Sequence, residues 1–437
     1  MQVSLPDVHS LPIGEPVPVV VASMGGNPRS VEAALGLAVA SWVERGQVQP
    51  LREWLTRELD PSATPWRLPV GRWVGCLAEL AHARRESTTS WPEEIDARIE
   101  GFLRSTLRFS RPDGSAVFGP RTVGVGRGVL FRDLARHASD PGLATVVNWW
   151  FPAEAAEYAP PPLPADACLD RTLASLRANW SKGGDFVAVD HRERAAESRL
   201  EVYAQGRRWL GPSWSSETEQ AKASSARPTL WMSNSSADLA EWTFKVAGTQ
   251  VVRIALNLRG RRLALLADQV DGRLSTAAMR ISLGESIAAT QAAPTRSLAL
   301  SEGRGRPSIR VIPIGLPCLD YPTDRGSLTA EGPAIVLRQA HVGRRCWLPL
   351  LVSWDSSRHR RPLQWRALTV SEKSKVCAPD VAFAARIRWG RDVTLVIYRS
   401  LARPALRTFL GHQTHARFLV GLFNREGVVE PIVKIEG

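Results

Sequence analysis

The sequence predicts an α+β chain of two parts, α-helical hairpins followed by a large antiparallel β-sandwich. Apolar residues recur with a helical period up to about residue 150, and with the alternation of strands from Phe186 onward. Between the two regimes the run Pro160-Pro161-Pro162 with Pro164 reads as a linker, which places the parts at 1–165 and 166–437. A length of 437 residues, with 44% hydrophobic and 23% charged residues, supplies two cores and excludes a disordered chain.

In the first part Asn27 is the expected N-cap and Pro28 the first helical residue, with Val31, Leu35, Val39 and Trp42 on one face and Gly46 as the stop. Pro50 opens a second helix that carries Leu51, Trp54, Leu55 and Leu59. Helical periods follow at 73–80, 95–107, 130–138 and 143–150, and short connections make three stacked hairpins of them. One more helix is expected from Cys168 to Trp180. Beyond it, two apolar runs flank Arg259-Gly260 as a hairpin, and similar short strands continue to residue 435. Strands so numerous, with no helices between them, predict a sandwich, and no regular repeat points to a propeller or solenoid.

Several function classes are excluded. No apolar run approaches the roughly 20 residues that span a bilayer, so no membrane partner is expected. The opening segment lacks a basic n-region and is broken by Pro16 and Pro18, so it does not read as a secretory signal, and a cytoplasmic location is the default. Five scattered cysteines without CxxC spacing read as buried thiols. Gly124, Gly126 and Gly128 lack the Gly-Lys-Ser/Thr of a phosphate cradle, and no G-x-S-x-G marks a serine hydrolase. Net charge is uneven, −4 over residues 1–170 and +17 over 171–437. The basic half suits a polyanion. Acidic polysaccharide fits better than nucleic acid, since no nucleic-acid module is present and only six of the 56 basic residues are Lys.

The stretch "GGDFVAVDHRERAAESRLEVYAQGRRWLGPSW" (183–214) sets the cluster Asp190-His191-Arg192-Glu193-Arg194 before an alternating strand and a Gly turn. It resembles the sandwich entry of the heparinase II/III-like polysaccharide lyases, where an H-x-H-x-D-x-x-S motif stands. His191 takes the first place and Ser198 the last, whereas Glu193 and Ala195 replace the second His and the Asp. "ARIEGFLRSTLRFSRPDGSAVFG" (97–119) resembles the toroid helix of that family with its Asp-Gly turn. The resemblance implies an (α/α) toroid, here shortened and incomplete, before the sandwich. It also implies cleavage of a uronate-containing glycan by β-elimination, in a family often secreted or periplasmic. Members with a metal site coordinate zinc at this entry, where His191 and Glu193 supply two ligands, short of the three of a catalytic zinc.

Such a lyase needs a base, an acid for the leaving oxygen and a donor that neutralises the carboxylate. His191, Tyr158 and Tyr203 are the candidate acid–base residues. Each has a plainer alternative: a solvated turn residue, an aromatic packed in the linker, and a strand residue facing the core. Arg192, Arg208, Trp209 and Trp214 are the candidate substrate contacts, Arg for acid groups and Trp for sugar faces, the alternative being that Trp fills the core while Arg faces out. His412 and His415 have the i, i+3 spacing of a metal pair without a carboxylate nearby. Three further readings stand beside the lyase: a catalytically inactive glycan-binding relative, a polyanion-binding protein whose partner is nucleic acid, and a purely structural partner.

Overall fold

The computed structural model describes residues 30–437 except 62, 66, 88–90, 122–125, 153–156, 169–171, 193–196, 217–223, 273–274, 304, 306–307, 341 and 391–392. Six helices come first: α1 (Val31–Arg45), α2 (Gln49–Glu58), α3 (Trp73–Glu86), α4 (Glu93–Arg108), α5 (Arg127–Arg136) and α6 (Pro141–Trp150). Ser30 caps α1, its hydroxyl accepting from the Ala33 N–H at 3.1 Å, and Gly46 closes it in the left-handed conformation at φ 67°. The expected cap at Asn27 and Pro28 lies outside the described residues. The helices pack as consecutive pairs, α1 on α2, α3 on α4 and α5 on α6.

Among the described residues every strand lies beyond Asp166 and, but for the single turn Ser356–His359, every helix before it. The first sheet has eight antiparallel strands in the order Asp166–Cys168, Leu173–Arg177, Phe186–Asp190, Glu197–Ala204, Arg207–Ser216, Thr276–Leu283, Ala334–Ala340, Gly326–Glu331. The second also has eight: Ile287–Gln291, Leu298–Glu302, Ile309–Pro313, Arg345–Ser353, Leu263–Asp271, Thr249–Leu258, Ala237–Val246, Arg227–Ser233. A third, of five strands, runs Leu363–Leu368, Ala382–Trp389, Val393–Ser400, Phe418–Phe423, Val429–Ile435. A small fourth sheet includes the strand His412–Thr414.

Strand alternation stacks these elements into layers. Leu173, Phe186 and Tyr203 of the first sheet join Trp54, Trp73 and Phe102 of the helices in one core. Leu176, Leu200, Trp209 and Trp214 face the opposite way and meet Trp242, Ala255 and Leu266 of the second sheet. The far face of the second sheet, with Leu239, Ile254 and Leu265, packs on Ile387, Leu395 and Ile397 of the third. The order is helices, sheet, sheet, sheet, one layer more than a two-sheet sandwich.

The helix expected over 168–180 is instead the strands Asp166–Cys168 and Leu173–Arg177. All five residues of the second strand are buried, because helices cover one face of the sheet and the second sheet covers the other. A strand buried on both sides loses its polar alternation and reads as ambiguous.

The turn from Glu197–Ala204 to Arg207–Ser216 passes through Gln205 and Gly206, both at positive φ, as a tight hairpin requires. Further along, Gly211 has φ 118°, and a Cβ there would lie 2.0 Å from the Leu200 carbonyl oxygen. Gly211→Ala is therefore expected to destabilise the chain by about 3 kcal/mol, combining strain with backbone displacement. Gly248→Ala, also at positive φ but with no atom within 4 Å of its Cβ, is expected to cost only about 1–2 kcal/mol. Urea unfolding of the two variants checks the difference.

Candidate functional site at the helix–sheet junction

The turn after α4 reaches across to the first sheet. Asp113 accepts from the Ser115 N–H at 2.9 Å and from its hydroxyl at 2.5 Å, and Gly114 turns at φ 77°. That turn aims Arg111 at Glu201 on the strand Glu197–Ala204. The guanidinium donates from Nε and Nη2 to the two carboxylate oxygens, both at 2.7 Å, with Arg111 almost wholly buried and Glu201 completely so. Arg111 also donates to the Ser115 hydroxyl and the Gly119 carbonyl, and Glu201 accepts from the Phe118 N–H at 2.8 Å. Arg208, on the neighbouring strand, stands 4.0 Å from the same carboxylate and donates to the Gly119 carbonyl. The pair is thus fully hydrogen-bonded, the condition under which a buried ion pair is tolerated.

Tyr203, two residues along the same face, lies flat on Phe186 with ring centroids 4.9 Å apart. Burial, reinforced by the charge of Asp113, raises its phenol pKa above the ordinary value, so at neutral pH it is a proton donor and not a base. At the outer edge Arg121, half exposed, holds Asp113 at 2.6 Å; Arg207, on the opposite face of the sheet, pairs with Glu302 of the second sheet. On the inner side Arg177 is completely buried, with its guanidinium carbon 4.3 Å from the Phe186 ring centroid and 5.4 Å from those of Trp150 and Trp180. It donates to the Ser110 carbonyl, but its Nε and Nη1 have no partner, and burial pushes it down to about 9. At neutral pH it remains a cation, held by ring faces and carbonyl oxygens.

His191, expected in an exposed charged turn, is instead buried between the first two sheets. Its Nδ1 shares a 2.6 Å hydrogen bond with the Ser198 hydroxyl, and its ring packs 4.6 Å from that of Trp242. Ser198 in turn accepts from Arg253 Nη1 at 2.6 Å, and Arg253 forms a wholly buried two-pronged pair with Asp268, which also accepts from Ser216. Burial and the nearby Arg253 hold the imidazole pKa well below the ordinary value, so it is neutral. The strand period explains the placement: Ser198 lies an even number of residues from Leu200 and Val202, both of which face the second sheet.

The remaining candidates are dispersed. Trp209 and Trp214 are buried in the layer between the two sheets, turned inward by alternation and away from any sugar at the surface. Arg192 clamps Asp190 with two hydrogen bonds and donates to the Pro65 and Leu68 carbonyls, tying the sheet to the helices. Tyr158 is 68% exposed beside Trp149. Of the described candidates only Tyr203 and Arg208 are brought together at the junction. Among the described residues no tyrosine hydroxyl shares a hydrogen bond with a histidine nitrogen.

The described residues do not fit a zinc ion. Glu193 lies outside the described residues, and among those described no three His, Cys, Asp or Glu side chains gather as a metal set. The unpartnered His191 Nε2 sits in an apolar aromatic environment, and Ser198, bound to its other nitrogen, already takes a guanidinium.

Sequence reasoning missed Arg111, Glu201, Arg177, Arg253 and Asp268. One signal was available. Tyr203 shares a strand face with Glu201, and a large aromatic two residues from a carboxylate marks that face as covered.

Arg111→Met leaves Glu201 buried with only Arg208, 4.0 Å away, as counter-charge and is expected to cost about 3 kcal/mol, whereas Arg111→Met with Glu201→Leu returns most of that loss. Urea midpoints of the single and double variants test the coupling. The imidazole makes a separate prediction. Below pH 6.5 the unfolded chain takes up a proton that the folded His191 refuses, so stability falls as pH drops from 6.5, by up to about 1.4 kcal/mol per unit. His191→Gln is expected to flatten that part of the stability–pH curve, as read by unfolding between pH 7 and 5.

No protein-family model matches this chain, and neither does any curated protein. Solved structures do match. A crystal structure of heparinase III aligns with a TM-score of 0.59 at 11% sequence identity, over 85% of this chain and 67% of that one. At that identity the likeness shows the fold alone: helices and stacked antiparallel sheets arranged as in heparinase III.

Proposed function

We propose that this chain is a catalytically inactive acidic-glycan-binding protein built on a heparinase III-like fold. In this reading residues 1–165 are a shortened toroid, residues 166–437 are the β domain, and the ligand lies along the outer edge of the junction between them. The observation that carries it is the Arg111–Glu201 pair, which occupies the junction with groups that satisfy one another. Elimination needs an open base and an open donor for the uronate carboxylate. Here the carboxylate and guanidinium are bound to each other, and the imidazole of His191 is sealed between sheets.

Binding asks for less. Arg121 stands half exposed at the outer edge with Arg208 behind it, the first holding Asp113 in a surface pair and the second in longer contact with Glu201. Exposed ion pairs are weak and exchange readily, so a glycan carboxylate or sulfate can take the place of Asp113. The lyase reading keeps one observation in its favour, the protonated Tyr203 phenol, which suits the acid step.

The test is incubation of the purified chain with heparan sulfate, hyaluronan, chondroitin, alginate and pectate, following both binding and the ultraviolet absorbance of unsaturated uronates. The expected outcome is salt-sensitive binding to at least one glycan, weakened about tenfold by Arg121→Ala with Arg208→Ala, and no rise in absorbance. A rising absorbance that Tyr203→Phe abolishes overturns this in favour of the lyase.

A further inference from the structure

The third sheet carries a feature that the junction does not explain. Arg366 and Arg386 are direct cross-strand partners in register, and one step along Gln364 faces Arg388. Positions 364 and 366 share a face of one strand, and 386 and 388 the same face of its neighbour, so three cations crowd a single patch. Like charges directly opposed in an antiparallel pair repel. Elsewhere the β part couples its arginines to acids, as in Arg345 with Asp271 and Arg399 with Glu241. Among the described residues none of these three, nor Arg325 nearby, has a carboxylate within ion-pair distance.

The patch is the floor of a pocket of about 680 Å³ whose opposite wall is the segment 315–325, bringing Arg325 and the exposed ring of Tyr321. That wall is fixed from behind. Trp365 Nε1 donates to the Leu316 carbonyl at 2.7 Å, and Arg296 donates to the Tyr321 carbonyl at 2.5 Å and pairs with Asp320. A volume of this size suits a small ligand, and four guanidinium groups around it suit oxyanions, which Arg binds in a planar, two-pronged manner. We infer that the pocket between the segment 315–325 and the strands Leu363–Leu368 and Ala382–Trp389 binds a compact ligand carrying at least two adjacent oxyanion groups, sulfate or phosphate. Two acid groups spaced as neighbours on a chain match Arg366 with Arg386 at one level and Arg388 at the next, about 7 Å further along the strand. The sulfated source, an oligosaccharide, rests on the function proposed above; the phosphate source does not.

Calorimetric titration of the full chain with a sulfated heparin-type tetrasaccharide, with tripolyphosphate and with an uncharged tetrasaccharide separates the sources. The expected result is one-to-one binding of at least one of the two anions and none of the neutral sugar, with affinity falling steeply as salt is added. Arg366→Ser and Arg386→Ser should each weaken binding about tenfold while leaving the thermal midpoint unchanged or higher, since each relieves repulsion. Arg121→Ala with Arg208→Ala should leave tripolyphosphate binding unchanged. The proposal is overturned if neither anion binds, if the Arg366 and Arg386 variants bind as the parent does, or if only the junction variant loses binding. Tripolyphosphate binding that depends on Arg366 upholds the pocket even where no glycan binds anywhere on the chain.

Discussion

Each central strand of the first sheet feeds two interiors at once, and the rest of the molecule is built on that constraint. Along Glu197–Ala204, Leu200 and Val202 point to the second sheet while Glu201 and Tyr203 point to the helices. A slip of one residue would drive Glu201 into the apolar layer and pull Val202 out of it. The register is therefore held from both sides, by the Arg111–Glu201 pair on one and by the Ser198–Arg253–Asp268 network on the other. Neither network is a source of great stability by itself, because desolvation consumes most of what each ion pair supplies. Their contribution is to make the wrong register expensive.

The same constraint explains what the sequence revealed and what it concealed. The helices up to Trp150 were legible because they are amphipathic, one stripe covered and one wet. The outer strands were legible by alternation, and the hairpin around Arg259-Gly260, whose strands are buried on both faces, by the turn glycine between its two apolar runs. Leu173–Arg177 was not, since both of its faces are covered and its one charge, Arg177, is buried. The third sheet was legible strand by strand but not as a separate layer, because alternation tells which residues are covered and not what covers them. Of the site, Tyr203 and Arg208 were named from the sequence, but the pair beside them joins Arg111 to Glu201, 90 residues away, and only the folded chain brings those two together.

Charge was the most misleading signal of all. The formal excess of the β part suggests a uniformly basic surface, yet many of its arginines are internal. Arg253 is spent on Asp268, Arg399 on Glu241, Arg259 on Asp238 and Arg407 on Glu372. These pairs cancel within the protein and project little field outward. What counts toward a partner is the excess that such pairs leave unmatched and where the fold places it, as at Arg366, Arg386 and Arg388.

Arg177 shows what the two parts of the chain owe each other. It sits on the sheet, but the rings of Trp150 and the carbonyls of Arg108 and Ser110 that surround it come from the helical part. Without the helices, the sheet would present Leu173, Phe186 and Tyr203 to water around a cation stripped of most of its acceptors. An apolar face of that kind seeks any neighbour that will cover it. The proline-rich connection ensures that the neighbour is its own, by keeping the helices at a high effective concentration beside the sheet from the moment both are formed. The helical part then acts as a permanently tethered escort for the β part, a role that persists whether or not the junction binds anything.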